Sequence, residues 1–211
     1  MPAKNRDLHG NVPDSAAVAL LLIDLINDLE FPGGDALLEA ATPMAKRIAA
    51  LKRRAKAAGV PVIYVNDNYG RWQSDFTKLV EHVRTDGVRG APIAELLAPE
   101  EDDYFVLKPK HSAFYSTTLD TLLDYLGTRT LIITGMAGNV CVLFTANDAF
   151  MRDFHLIVPE DCVASIDLAD NDYALRQMRT VLDAETTPST DLDLEALLHG
   201  AHPRSGAAGA V

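Results

Sequence analysis

The chain has 211 residues, 48% of them hydrophobic and 23% charged, the proportions of a globular fold and not of a fibrous or disordered one. At this length roughly 70% of the unfolded surface is buried on folding, so neither disulfides nor a structural metal are needed for a core. Its 19 Lys and Arg against 30 Asp and Glu leave a formal charge of −11, which argues against nucleic acid or a membrane surface as a partner.

Residues 1–15 read as a polar arm with no signal-peptide core, and no apolar stretch reaches the roughly 18 residues that span a bilayer. A cytoplasmic location is expected, with Cys141 and Cys162 as free thiols. The first apolar run, Val18 to Ile23, is unbroken and ends at Asp24, the pattern of a strand covered on both faces. A helix is expected within Ala36 to Ala58, closed by Gly59 and Pro61. Val62 to Val65 reads as the second strand. From Asn66 to Pro99 the pattern is least regular, a functional loop region with a helix in Asp75 to Thr85. Tyr104 to Leu107, ending at Lys108, is the third strand, and Thr117 to Leu126 has helical spacing. Leu131 to Thr134 is the fourth strand, leading through a Gly-containing turn to a helix beginning near Asn139. His155 to Val158 is the fifth, followed by a helix in Leu168 to Leu182 and a shorter strand around Ala184 to Thr187. Residues 200–211 read as a disordered tail. The alternation of strands and helices predicts a single α/β domain over residues 1–190 with a mostly parallel sheet.

In such a sheet, side chains leaving the carboxyl ends of different strands meet at one edge. Asp24, Lys108 and Cys141 hold positions of that kind. A thiol at a helix N-terminus beside an ammonium group is expected to ionise readily, which makes a nucleophile. A nearby carboxylate serves as general base, and the small residues Ala137 and Gly138 let backbone N–H groups face a developing oxyanion.

Plainer readings stand beside these. Most free cysteines are small buried apolar residues, and Cys162, without reactive company, is read as a core or loop thiol. A strand-end Asp binds magnesium in phosphatases of the haloacid dehalogenase type, but there a second Asp follows two residues on, where this chain has Ile26. Asp28 and Asp67 suit loop hydrogen bonds. His111 is either the base of a Cys–His dyad or a residue facing solvent or a subunit contact. Gly135-x-x-Gly138 lacks the dinucleotide spacing. Phe31, Trp72, Phe76 and Phe114 lie in loops, as core residues or as an aromatic pocket wall; Phe31, Trp72 and Phe114 are the expected substrate contacts. Arg71 and Arg89 are carboxylate binders or ordinary surface charges.

Five segments, Leu22 to Asp28 with Pro32-Gly33-Gly34, Val65 to Asn68, Lys108 to Phe114, Gly135 to Val142 and Thr145 to Ala149, span nearly the whole expected fold. In that order the sequence resembles the isochorismatase-like cysteine hydrolases, a family that includes nicotinamidases and N-carbamoylsarcosine amidases. The resemblance implies a three-layer α/β/α sandwich around a mostly parallel six-stranded sheet. It also implies an Asp24–Lys108–Cys141 catalytic triad, a thioester or related covalent intermediate, and a non-proline cis peptide, by position Met136-Ala137. An oxyanion hole would come from the N–H groups of Ala137 and Cys141, and the family commonly forms dimers or tetramers in which a neighbour closes the pocket. Metal-dependent nicotinamidases carry Asp-x-His-x-x-His after the second strand, whereas Asn66 to Trp72 holds no His. No metal and no cofactor are therefore expected, and nicotinamidase activity is disfavoured. Many relatives also carry Thr in the turn where this chain has Ala137-Gly138. The expected activity is hydrolysis of a small amide, ureido or related C–N bond in a small-molecule substrate. Two alternatives remain open: vinyl-ether hydrolysis of the isochorismatase type, with Asp24 as acid and no thiol chemistry, and a non-catalytic binding or scaffold member of the fold.

Overall fold

The run Val18–Ile23 forms strand β1, buried at every position because both faces of the sheet are covered. A computed structural model describes residues 15–70 and 75–200. The expected arm up to residue 14, Arg71 and Trp72, and the expected tail beyond Gly200 lie outside them. After β1 come α1 (Gly34–Ala57), β2 (Val62–Asp67), α2 (Phe76–Thr85), α3 (Ala91–Leu96) and β3 (Tyr104–Lys108). The second half holds α4 (Leu119–Leu126), β4 (Thr130–Met136), a π-helical turn (Gly138–Val142), α5 (Leu143–Phe150) and β5 (His155–Ile157). It ends with β6 (Val163–Ala164), α6 (Leu168–Val181) and α7 (Leu194–His199).

All pairings are parallel, in the order β3-β2-β1-β4-β5, with β6 beside the end of β4. Ile23 stands level with Val65 and Gly135, and Asp67 with Lys108, so the carboxyl ends of four strands share one edge. The chain winds outward from β1 to β3 and then crosses back to β4, which puts a topological switch point at that edge.

Side chains alternate across β1. Val18, Leu20 and Leu22 enter one core with α1, α2, α3 and α7, while Ala19, Leu21 and Ile23 enter the other with α4, α5 and α6. Helix α1 meets its core through Leu37, Ala41, Met44, Ala45, Ile48, Leu51 and Ala55, spaced as one helical stripe. It stops at Gly59, whose φ of 76° is the left-handed value a helix terminus requires. Asp75 and Asp167 cap α2 and α6 through their carboxylates. Among the described residues no helix is long and apolar enough to cross a membrane.

The sixth strand is not where the sequence places it. Residues 184–187 make one bridge, Glu185 to Ile157, because β5 ends just before Pro159 and the segment runs between Asp183, at a φ of 52°, and Pro188. Val163 and Ala164 instead pair with Gly135 and Met136. Helices α3 and α7 were also missed. At six residues each they are too short to show a period, and only the Pro near the start of α3 hints at one.

Gly135 lets β4 lie against β1 beside Asp24. Its φ is 126°, and a Cβ there would stand 2.1 Å from the Ile23 carbonyl oxygen. Gly135→Ala is expected to cost at least about 2 kcal/mol of stability, because backbone and not a flexible side chain must give way. A urea midpoint equal to the wild type's would contradict that close approach.

Candidate active site

The three strand-end groups meet. Lys108, on the last position of β3, is fully buried. Its Nζ lies 2.8 Å from Asp24 Oδ2 and donates to Cys141 Sγ at 3.5 Å. Asp24 sits just past β1 at a φ of 51°, with its N–H on the Val65 carbonyl at 2.8 Å. Its Oδ1 accepts the Asp67 N–H at 2.7 Å, and the same carboxylate is near enough to Cys141 to act on its thiol electrostatically. Asp67 Oδ2, 3.9 Å from the ammonium, adds a second negative group.

Cys141 lies inside the π-helical turn. Val142 N–H reaches the Ala137 carbonyl at 3.2 Å, five residues back, and Val140 N–H shares that oxygen at 3.1 Å. Widened turns of this kind recur at functional sites. The Met136–Ala137 peptide just before it is cis. The Asn139 N–H is taken by Ser165 Oγ at 3.2 Å.

The electrostatics correct one expectation. Burial is the largest influence on Cys141 and, together with the Asp24 charge and against the opposing pull of Lys108, pushes the thiol up to about 12. Burial and Asp24 thus disfavour the thiolate, which only Lys108 favours. Burial also raises the Asp24 carboxyl above its ordinary value, outweighing the Lys108 ammonium. For Lys108, burial works to lower the ammonium, but Asp24, the Cys141 sulfur and Asp67 together hold it above its usual range.

The other expected residues divide. Phe31 is exposed on the loop following Asp24. Phe114 is a correction: it is 4% exposed in the core, tilted against Phe154 at 6.0 Å with the Arg152 guanidinium over its ring. The chain past Lys108 folds back onto α5, where Ala113 N–H bonds Thr145 Oγ1 at 3.0 Å and Ser112 bonds Asp148, and this carries Phe114 inward. Phe76 is likewise core, stacked on Phe105. His111 stands edge-on to Phe144, while the thiol's partners are Asp24 and Lys108, so no Cys–His dyad forms. Arg89 clamps a loop, through the Leu29 carbonyl, Glu30 and Asp35. Cys162 is a fully buried free thiol in the core.

The Isochorismatase domain model matches residues 18–189. The chain belongs to the isochorismatase family. It is 47% identical over 169 residues to the uncharacterized isochorismatase family protein YaaI of Bacillus subtilis (strain 168), covering 80% of this chain and 92% of that protein. It is 29% identical over 176 residues to the ureidoacrylate amidohydrolase RutB of Methylorubrum extorquens, covering 70% of each. The crystal structure of N-carbamoylsarcosine amidase from Thermoplasma acidophilum superposes with a TM-score of 0.62 at 27% identity, over 83% of this chain and 98% of that one.

Asp67 Oδ1 accepts the Tyr69 N–H at 2.6 Å and Oδ2 faces Lys108, so both oxygens are engaged. Among the described residues no group of three or more His, Cys, Asp or Glu is placed to hold a metal ion. A cavity of about 210 Å³ opens beside Asp67, lined also by Asp28, Tyr69, Asp75, Lys78 and His82. Ser112, Thr145 and Asp148 lie within segments that carried the family resemblance, though no role for them was read there. Ser165 and Asn171 had no signal in spacing or motif.

Proposed function

We propose that this isochorismatase-family hydrolase cleaves a small amide, ureido or related C–N bond through an acyl group held on Cys141. The observation that carries the reading is the contact of one ammonium, Lys108, with both the Asp24 carboxylate and the Cys141 sulfur. Asp24 takes the thiol proton as Sγ attacks the carbonyl carbon, so a charged thiolate is needed only at the moment of reaction. Lys108 keeps a positive charge beside both groups throughout. The Ala137 and Cys141 N–H groups receive the oxyanion. As the C–N bond breaks, Asp24 returns its proton to the departing nitrogen. It then takes a proton from water as the water oxygen attacks the acyl carbon; the C–S bond breaks, the carboxylic or carbamic acid leaves, and Asp24 gives that proton back to Cys141 Sγ. The names of two relatives, an amidohydrolase and an amidase, support this reaction class.

The test is a screen of small amides and carbamoyl compounds scored by ammonia or amine release, with mass spectrometry for an acyl adduct on Cys141. Turnover without any adduct under rapid quench would remove the covalent step.

One observation favours vinyl-ether chemistry as the second reading: the raised Asp24 carboxyl is also what a general acid needs. The pH profile separates the two. As a base, Asp24 must be ionised, so kcat/KM is expected to fall as pH drops through a value above 3.8, the ordinary carboxyl figure. As an acid it must be protonated, and activity would instead be kept at low pH and lost on raising it.

A further inference from the structure

A second buried polar chain reaches the nucleophile turn from the side of α6. Ser165, just past β6, is 1% exposed, and Asn171, in the first turn of α6, is 8% exposed. Ser165 Oγ donates to Asn171 Oδ1 at 2.9 Å and accepts the Asn139 N–H at 3.2 Å. A hydroxyl has a single hydrogen, so donating it to the amide oxygen leaves the lone pairs for Asn139 and fixes the direction of the chain. Buried hydrogen bonds hold their neighbours firmly, since breaking one strands a polar atom away from water.

The same pair also bounds the turn sterically. A Cβ on Gly138 would lie 2.4 Å from Asn171 Oδ1 and 3.0 Å from Ser165 Oγ. Two consecutive residues of the turn, Gly138 and Asn139, are thus held by one pair, one by contact and one by a hydrogen bond. They stand between Ala137 and Cys141, the two residues whose N–H groups would receive the oxyanion.

We propose that Ser165 and Asn171 are positioning residues for the oxyanion hole, holding the Gly138–Asn139 segment so that the Ala137 and Cys141 N–H groups point at the developing charge. This rests on the covalent reading above. Ser165 commits the Asn139 N–H away from the reacting carbonyl, and the Ala137 carbonyl does the same for Val140 and Val142. Because the hole is used in the transition state and not in forming the nucleophile, loosening it should slow acyl transfer and leave the thiol's intrinsic reactivity alone.

Two reagents separate these effects on the full chain. Iodoacetamide alkylates the thiol by displacement at carbon and develops no oxyanion, whereas p-nitrophenyl acetate acylates it through a tetrahedral oxyanion. In Ser165→Ala, acylation of Cys141 is expected to fall about 10- to 100-fold, with the alkylation rate and its pH profile unchanged. Asn171→Ala should show the same pattern and serves if Ser165→Ala folds poorly, and Ser165→Thr, which keeps the hydroxyl, should recover most of the loss. Both rates falling together, or neither changing, would overturn the proposal. Cys141→Ala run in parallel identifies the other failure: turnover of an amide substrate that persists there means that the covalent reading itself is wrong.

Discussion

Replacing Cys141 with Ala is expected to lower turnover by at least about 10⁴-fold, because the proposed covalent route has no acyl acceptor without that sulfur and would keep only orientation and oxyanion contacts. The fold should survive. Cys141 is only partly buried, packed against the core from its edge, so losing one sulfur leaves little void. Ammonia release from the best substrate of a screen measures the first effect and urea unfolding the second. Cys141→Ala with wild-type turnover would transfer the chemistry to Asp24 alone and favour the vinyl-ether reading.

Lys108→Met has a different signature, because it strikes stability and the base together. Removing the ammonium leaves a carboxylate buried at Asp24 without its partner, and breaking such a pair costs about 3–5 kcal/mol. The cost depends on pH. The Asp24 carboxyl is already raised by burial in the native protein, and loss of Lys108 raises it further. A group raised on folding favours the native state below its unfolded value and loses that advantage as pH climbs through the folded one. Lys108→Met should therefore be nearest the wild type in stability in acid, and weakest at neutral and higher pH. Its residual turnover should also show an acid limb moved upward, since Asp24 then holds its proton where the wild type has released it. Urea titrations at two pH values together with a kcat/KM profile check both. An unmoved acid limb would mean that Lys108 does not govern Asp24.

The parts of this site that could be read from sequence are those fixed by strand ends. Asp24 and Lys108 each follow an apolar run in an α/β pattern, and that pattern carries charged strand-end residues to a common edge whatever the loops do. The ionisation state of Cys141 was not legible. A helix start and a nearby Lys both argue for a thiolate, but burial and the closeness of Asp24 are three-dimensional facts, and they outweigh both. Phe114 failed for a related reason. Its segment has loop composition, and only the bonds from Ala113 and Ser112 to α5 reveal that the loop folds inward. The π-helical turn leaves no trace in spacing, because a bond five residues back changes no side-chain pattern. Strand β6 is two residues long, too little for any alternation to register.

The parallel order β3-β2-β1-β4 places Asp24 and Lys108 on strands separated by β2, with the Cys141 turn beyond β4 on the other side of β1. None of the three is brought to another by local structure. Each contact waits on pairings between distant stretches of chain, which form late relative to helices and turns. A partly assembled molecule thus holds a thiol and a carboxylate that have not yet met their common ammonium partner. The contact of Asp24, Lys108 and Cys141 therefore depends on completion of the central sheet rather than on the amount of helix or strand present.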